Sequence, residues 1–108
     1  MSYEIIPTKY FGKCLKGIYK KYPKIKDDII SLQKELLKTP HMGTALGKDC
    51  YKIRIQITGK NVGKSGGARV ITCVKVIGEK VYLLAIYDKA DISTIDDDAL
   101  DALLKDLL

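Results

Sequence analysis

Apolar residues fall into two rhythms along the chain, and each rhythm predicts a different kind of element. Phe11, Leu15, Ile18 and Tyr22 recur at i, i+4, i+7 and i+11, which puts them on one stripe of a helix. Pro23 interrupts the stripe. Ile25, Ile29, Leu32 and Leu36 then repeat the spacing until Thr39-Pro40 stops it. The two stripes predict a helical hairpin with lysines on its outer faces. From Cys50 the period drops to two, with Tyr51, Ile53, Ile55 and Ile57 alternating with Lys52, Arg54, Gln56 and Thr58. A loop rich in glycine and lysine over residues 59–67 leads into a second strand over 68–77. Gly78-Glu79 turns the chain into a third strand over 81–87. The β-rich residues 3–8 predict a fourth strand at one edge, and residues 43–49 read as a turn-rich connection. Near the end, Ile95, Leu100, Leu103, Leu104 and Leu107 lie close to helical spacing behind Asp96, Asp97 and Asp98. Acids there suit the positive end of a helix, and Ser93 and Thr94 just before them are candidate caps. The order is β-α-α-β-β-β-α. It predicts an α+β fold in which a helical hairpin packs on one face of a small, twisted, mainly antiparallel sheet.

Alternation also decides which polar side chains share a surface. If the isoleucines of residues 50–58 face the helices, Lys52 and Arg54 project from the opposite face. In residues 68–77 the better core set is Val70, Thr72, Val74 and Val76, so Arg69 and Lys75 point away with Ile71 and Cys73. A register pairing Gln56 with Arg69 and Arg54 with Ile71 satisfies both assignments. It sets Arg54 and Arg69 within a diagonal step, with Lys52 one step further. Tyr87-Asp88-Lys89 ends the last strand at the rim of the same surface. No acid occurs between Lys52 and Lys75, whereas an ordinary solvated face of an antiparallel sheet would mix signs.

Composition narrows the class. A chain of 108 residues has room for one core, so residues 1–108 are read as one domain. With 46% hydrophobic and 30% charged residues it is globular rather than disordered. The longest apolar run, residues 81–87, is too short to span a bilayer. The first residues carry neither the basic nor the apolar region of a signal peptide. These features predict a cytoplasmic protein with no membrane association. Cys14, Cys50 and Cys73 are odd in number, widely spaced and without a CxxC pair, which argues for free thiols over a disulfide framework or a zinc site. His41, the one histidine, sits in a Thr-Pro-His-Met-Gly connection with nothing to activate. No metal or cofactor is expected.

Charge is unevenly spread. Residues 1–90 carry 18 Lys/Arg and 7 Asp/Glu, whereas residues 91–108 carry one cation and six acids. So basic a body implies a polyanionic partner, either nucleic acid or an acidic protein. The loop Gly59-Lys60-Asn61-Val62-Gly63-Lys64-Ser65 is not a phosphate-binding loop, because Thr58 stands where that motif needs glycine and a strand follows instead of a helix. It reads as a flexible hairpin tip whose Lys60 and Lys64 can touch a phosphate backbone. Lys75 is a further candidate RNA contact.

The stretches Tyr-Lys-Ile-Arg-Ile (51–55), Gly-Lys-Ser-Gly-Gly-Ala-Arg-Val-Ile (63–71) and Tyr-Leu-Leu-Ala-Ile-Tyr-Asp-Lys (82–89) resemble the RelE/ParE toxin superfamily, and its HigB-like branch in particular. The resemblance spans essentially the whole chain. It implies a toxin of a type II toxin–antitoxin system, a ribosome-dependent endoribonuclease that cuts mRNA in the translating A site. Carried over by position, the basic cluster that does the chemistry in the family corresponds to Lys52, Arg54, Arg69 and Lys89, with Tyr87 beside it. Some members place a tyrosine in the C-terminal segment, and this chain has none after Tyr87. The implied partners are the ribosome, mRNA and a cognate antitoxin from a neighbouring gene, either a helix-turn-helix protein or one with an acidic segment.

Metal-free RNA cleavage can use the substrate's own 2′-OH against the adjacent phosphorus, while the protein positions it and stabilises phosphoryl charge. Arginine forks suit the second task, which selects Arg54 and Arg69. Lys52 and Tyr87 are both candidates for the base. On this reading Arg69→Ala folds normally and loses mRNA cleavage. Two rivals stand beside it: a ParE-like poison of DNA gyrase, which generally lacks the full basic set, and a non-catalytic RNA-binding module, which would need more exposed aromatics.

Overall fold

The computed structural model describes residues 3–92 and 95–107. Its elements are β1 (Glu4–Pro7), α1 (Lys9–Lys21), α2 (Ile25–Lys38), β2 (Thr44–Gly47), β3 (Cys50–Ile55), β4 (Ala68–Lys75), β5 (Lys80–Asp88) and α3 (Asp97–Lys105). Thr8 starts α1 and anchors it. Its Oγ1 accepts the Phe11 N–H at 3.1 Å and donates to the Leu83 carbonyl at 3.1 Å, so one hydroxyl caps the helix and ties it to β5. Pro23 breaks the run between the helices. Asp28, in the first turn of α2, accepts the Thr58 N–H at 2.8 Å and the Thr58 hydroxyl at 2.6 Å, fastening that helix to the chain beyond β3.

The sheet order is β1-β5-β4-β3-β2. β1 runs parallel to β5 and the other pairs are antiparallel. On one face Phe11, Ile18, Ile25, Ile29, Leu32 and Leu36 of the hairpin pack against Ile53, Ile55, Val70, Val74, Val81, Leu83 and Ile86. All four α2 stripe positions are buried, so truncating any of them to alanine costs about 2–5 kcal/mol. The opposite face has a second, smaller core, in which Leu100 of α3 packs with Cys50, Ile71, Cys73, Leu84, Ala85 and Tyr87. A bulge serves this second core. Ile71 faces Ala85 while Thr72 faces Leu83, leaving Leu84 as an extra residue on β5, so Leu84 and Ala85 both turn toward α3.

Four expectations change. Residues 43–49 contain the edge strand β2, which pairs with β3 through a turn at Lys48 and Asp49, both at positive φ (57° and 62°). Two left-handed residues match the right-handed strand twist, but the sequence lacks the Asn-Gly or Asp-Gly signature of such a turn. The second meander strand ends at Lys75, not at residue 77. Val76 and Ile77 enter the turn to Glu79 and are 63% and 96% exposed, so Val76 is not a core residue. The register is shifted by two residues from the expected one: Arg54 faces Arg69 directly and Lys52 faces Ile71. The shift is even, so every side chain keeps its expected face. Finally, Ser93 and Thr94 lie outside the described residues, and the oxygen that caps α3 is Oδ1 of Asp96, accepting the Ala99 N–H at 2.8 Å.

Candidate functional site

Pairing of three strands sets a cross-strand row: Arg54 on β3 faces Arg69 on β4, which faces Tyr87 on β5. One step along the same face, Lys52 faces Ile71 on one side and Thr44 of β2 on the other. Two arginines directly opposite repel one another, less so where one is surrounded by protein dipoles. Arg69 is the one that is. Its guanidinium donates to the carbonyls of Lys64 (2.9 Å), Ser65 (2.9 Å) and Ala68 (3.2 Å), and the residue is only 3% exposed. The carbonyl dipoles of the loop therefore surround its charge, while Arg54 stands in solvent.

This arrangement corrects the reading of the loop as a flexible tip. Residues 59–67 fold back over β4 around Arg69. Gly67 lies so close to β3 that a Cβ there would sit 2.2 Å from the Ile55 carbonyl oxygen. Its own carbonyl accepts the Lys89 N–H at 3.0 Å. Gly67→Ala is expected to destabilise the protein by about 1–3 kcal/mol, read as a lower urea midpoint, since backbone must move to admit one methyl group. Gly66→Ala should cost less, because what its Cβ would meet first is the Val62 side chain, at 2.8 Å.

The predicted site residues separate into groups. Arg54 is exposed, Lys52 is half-buried, and exposed Lys89 lies beside Gly67 at the end of the row. Arg54 and exposed Lys64 line one small cleft of about 140 Å³ with Asp28, Glu35 and Gln56. Tyr87 is in the row but only 8% exposed, packed with Leu100, and its hydroxyl has no partner among the described residues. Burial raises its pKa against the opposing pull of Arg69, so its phenol gives up a proton less readily than a free tyrosine does. Lys75 is not at this site. It stands six residues from Arg69 along β4, about 20 Å at strand rise, and borders a groove with Lys48, Asp98 and Asp101. Lys60 is near but engaged, its ammonium paired with the Asp88 carboxylate in a largely buried ion pair.

Asp88 was not singled out from sequence, where it is one acid among thirteen. Burial alone would raise its pKa. The hydrogen bonds from Lys60 and the Ala90 N–H, with the charges of Lys60 and Lys21, bring it below the ordinary carboxylate value. A depressed folded pKa adds stability that is present above the unfolded value of about 4 and is lost as pH falls through the folded one. Asp88→Asn is therefore expected to lower the urea midpoint at pH 7 and to flatten its dependence on pH in the acid range. An unchanged acid limb would count against the pair.

His41 meets the rings of Tyr3 and Tyr51 edge-on, at 6.4 and 5.7 Å, away from the cationic row. Among the described residues no cluster of His, Cys, Asp and Glu is arranged to hold a metal. No described helix is long and apolar enough to cross a membrane.

The chain superposes on the E. coli toxin RelE, as an arginine-to-alanine double mutant in the free state, with a TM-score of 0.63 and 17% identity over the whole of both chains. The fold is that of RelE. A crystal structure of the isolated E. coli RelE toxin matches with a TM-score of 0.57 and 18% identity, over 98% of this chain and 99% of that one. No protein-family model matches the sequence, and no curated protein matches it. The RelE-type fold accounts for the helical hairpin on one face of the sheet.

Proposed function

We propose that this protein is a toxin of a type II toxin–antitoxin pair, of the HigB-like kind, that cleaves mRNA on the ribosome. The observation that carries the proposal is the row Arg54–Arg69–Tyr87 with Lys52 beside it, on the sheet face opposite the hairpin of a RelE-type fold. In this reading the substrate's 2′-OH attacks the adjacent phosphorus and the 5′-oxygen leaves. Arg54, open to solvent, binds the phosphoryl oxygens with its fork, and Lys52 accepts the 2′-OH proton. Arg69 positions the site by holding the loop that carries Lys64. Tyr87 serves as proton donor to the leaving oxygen once the cover of Leu100 is displaced, because burial is what raises its pKa and makes it a poor donor in the closed fold. Lys64 and Lys89 contact the phosphate backbone on either side. Lys60 and Lys75 fall out of the contact set, the first by its pairing with Asp88 and the second by its distance.

The antitoxin of this reading presents acidic residues to Lys52 and Arg54. A cleft of about 720 Å³ between α1, the end of β5 and α3, bordered by Tyr10, Ile18, Ile92 and Leu103, suits its apolar side chains. The experiment is incubation with translating ribosomes followed by mapping of mRNA ends. New ends at codons in the A site support the proposal. Intact mRNA together with inhibition of gyrase supercoiling would replace it with the ParE-like reading.

A further inference from the structure

On the α3 side of the sheet, two rows from the arginines, β3 and β4 place two cysteines face to face. Cys50 pairs with Cys73 in the strand register. The Val74 N–H donates to the Asp49 carbonyl at 2.9 Å, and a bond flanking the pair in this way marks it as non-hydrogen-bonded. Opposed residues of that type have Cα atoms about 4.5 Å apart, inside the span of about 4.4–6.8 Å that a disulfide bridges. Alternation turns both thiols to the same face. There they are 1% and 0% exposed and packed with Ile71, Leu84 and Leu100.

We infer that Cys50 and Cys73 are a built-in dithiol that closes to a cross-strand disulfide when it meets a two-electron oxidant of the hydroperoxide class. The bond would join the two strands that carry Lys52, Arg54 and Arg69. The third thiol, Cys14, belongs to α1 and packs with the core on the other side of the sheet, so it cannot reach either partner in the folded protein. The inference is independent of the proposed nuclease activity.

The roles of the two sulfurs are unequal. The neighbouring Cys50 side chain brings the Cys73 pKa down to about 7; burial opposes this and the charge of Lys75 assists it. Interaction with Cys73 and burial raise that of Cys50. The Cys50 Sγ–H donates to the Lys48 carbonyl at 3.3 Å, while Lys75 stands two residues from Cys73 on β4, so Cys73 is the attacking thiolate. It takes one oxygen of the peroxide, becoming a sulfenic acid as the O–O bond breaks and the other oxygen leaves as water. The Cys50 sulfur then displaces hydroxide from Cys73, and the Cys50 proton leaves with it as a second water. Two thiols are oxidised and one peroxide is reduced.

The test treats the reduced full chain with equimolar hydrogen peroxide, alkylates it after unfolding, and maps the peptides by mass. The expected product is a monomer lighter by two hydrogens, with a Cys50–Cys73 linked peptide and Cys14 alkylated. Cys14→Ser keeps that product, and Cys73→Ser abolishes it. Recovery of Cys50 and Cys73 both alkylated, or a link that involves Cys14, overturns the inference. If Cys73→Ser does not fold, the linkage map of Cys14→Ser decides alone.

Discussion

Arg54→Ala is expected to reduce ribosome-dependent mRNA cleavage by about a hundred- to a thousandfold, the loss typical when one charge-stabilising donor is removed from a transition state. Arg54 is the one arginine of the facing pair that stands in solvent, and among the described residues no hydrogen bond or ion pair holds its guanidinium. Its removal also relieves the repulsion with Arg69. The unfolding free energy should therefore stay within about 0.5 kcal/mol of the parent's. Arg54→Lys keeps the charge but not the planar fork, and recovers only part of the rate. End-mapping on translating ribosomes, with the fold checked by circular dichroism, separates these outcomes. A cleavage rate equal to the parent's would remove Arg54 from the mechanism.

The second large effect falls on the partner arginine and is of a different kind. Arg69→Ala is expected to lower stability by about 2–4 kcal/mol, because three charge-assisted bonds are lost together and the Lys64, Ser65 and Ala68 carbonyls lose their donor. This reverses the expectation that the variant folds normally. Denaturant unfolding reads the loss directly. Hydrogen exchange at the Lys89 amide, which donates to Gly67, should quicken beyond what the global loss explains, since the loop opens first. Reduced cleavage in this variant follows from a displaced loop and a displaced Lys64. A midpoint equal to the parent's would show that the clamp adds nothing.

These two residues also mark how far sequence reasoning reaches. Their sharing of one sheet face was legible from alternation alone, because an even shift of register leaves every side chain on its side. Their distance was not legible. The expected pairing set Arg69 against Gln56, whereas it faces Arg54, and turn geometry in residues 59–67 decides between the two. The hairpin stripes were equally plain, since Ile25, Ile29, Leu32 and Leu36 meet a single core and all four are buried. Val76 continued the alternation in sequence but lies past the last paired residue, and periodicity carries no information on where a ladder ends. β2 was hidden for a similar reason: Thr-Ala-Leu-Gly has no pattern of its own and becomes a strand only because β3 offers an open edge.

Local chemistry in the sequence by itself determined the order of every element but β2, the two faces of the meander and the concentration of cations on the chain's first ninety residues. Each follows from side-chain period, proline and charge, which act between near neighbours. Tertiary structure alone decided that Arg69 is buried in a cage of carbonyls while Arg54 is free, that Asp88 holds Lys60, and that Cys50 lies against Cys73. The ion pair and the two facing pairs join residues 15 to 28 positions apart, and the carbonyl cage of Arg69 closes only when the loop folds back; both depend on register and loop closure, which no local pattern encodes.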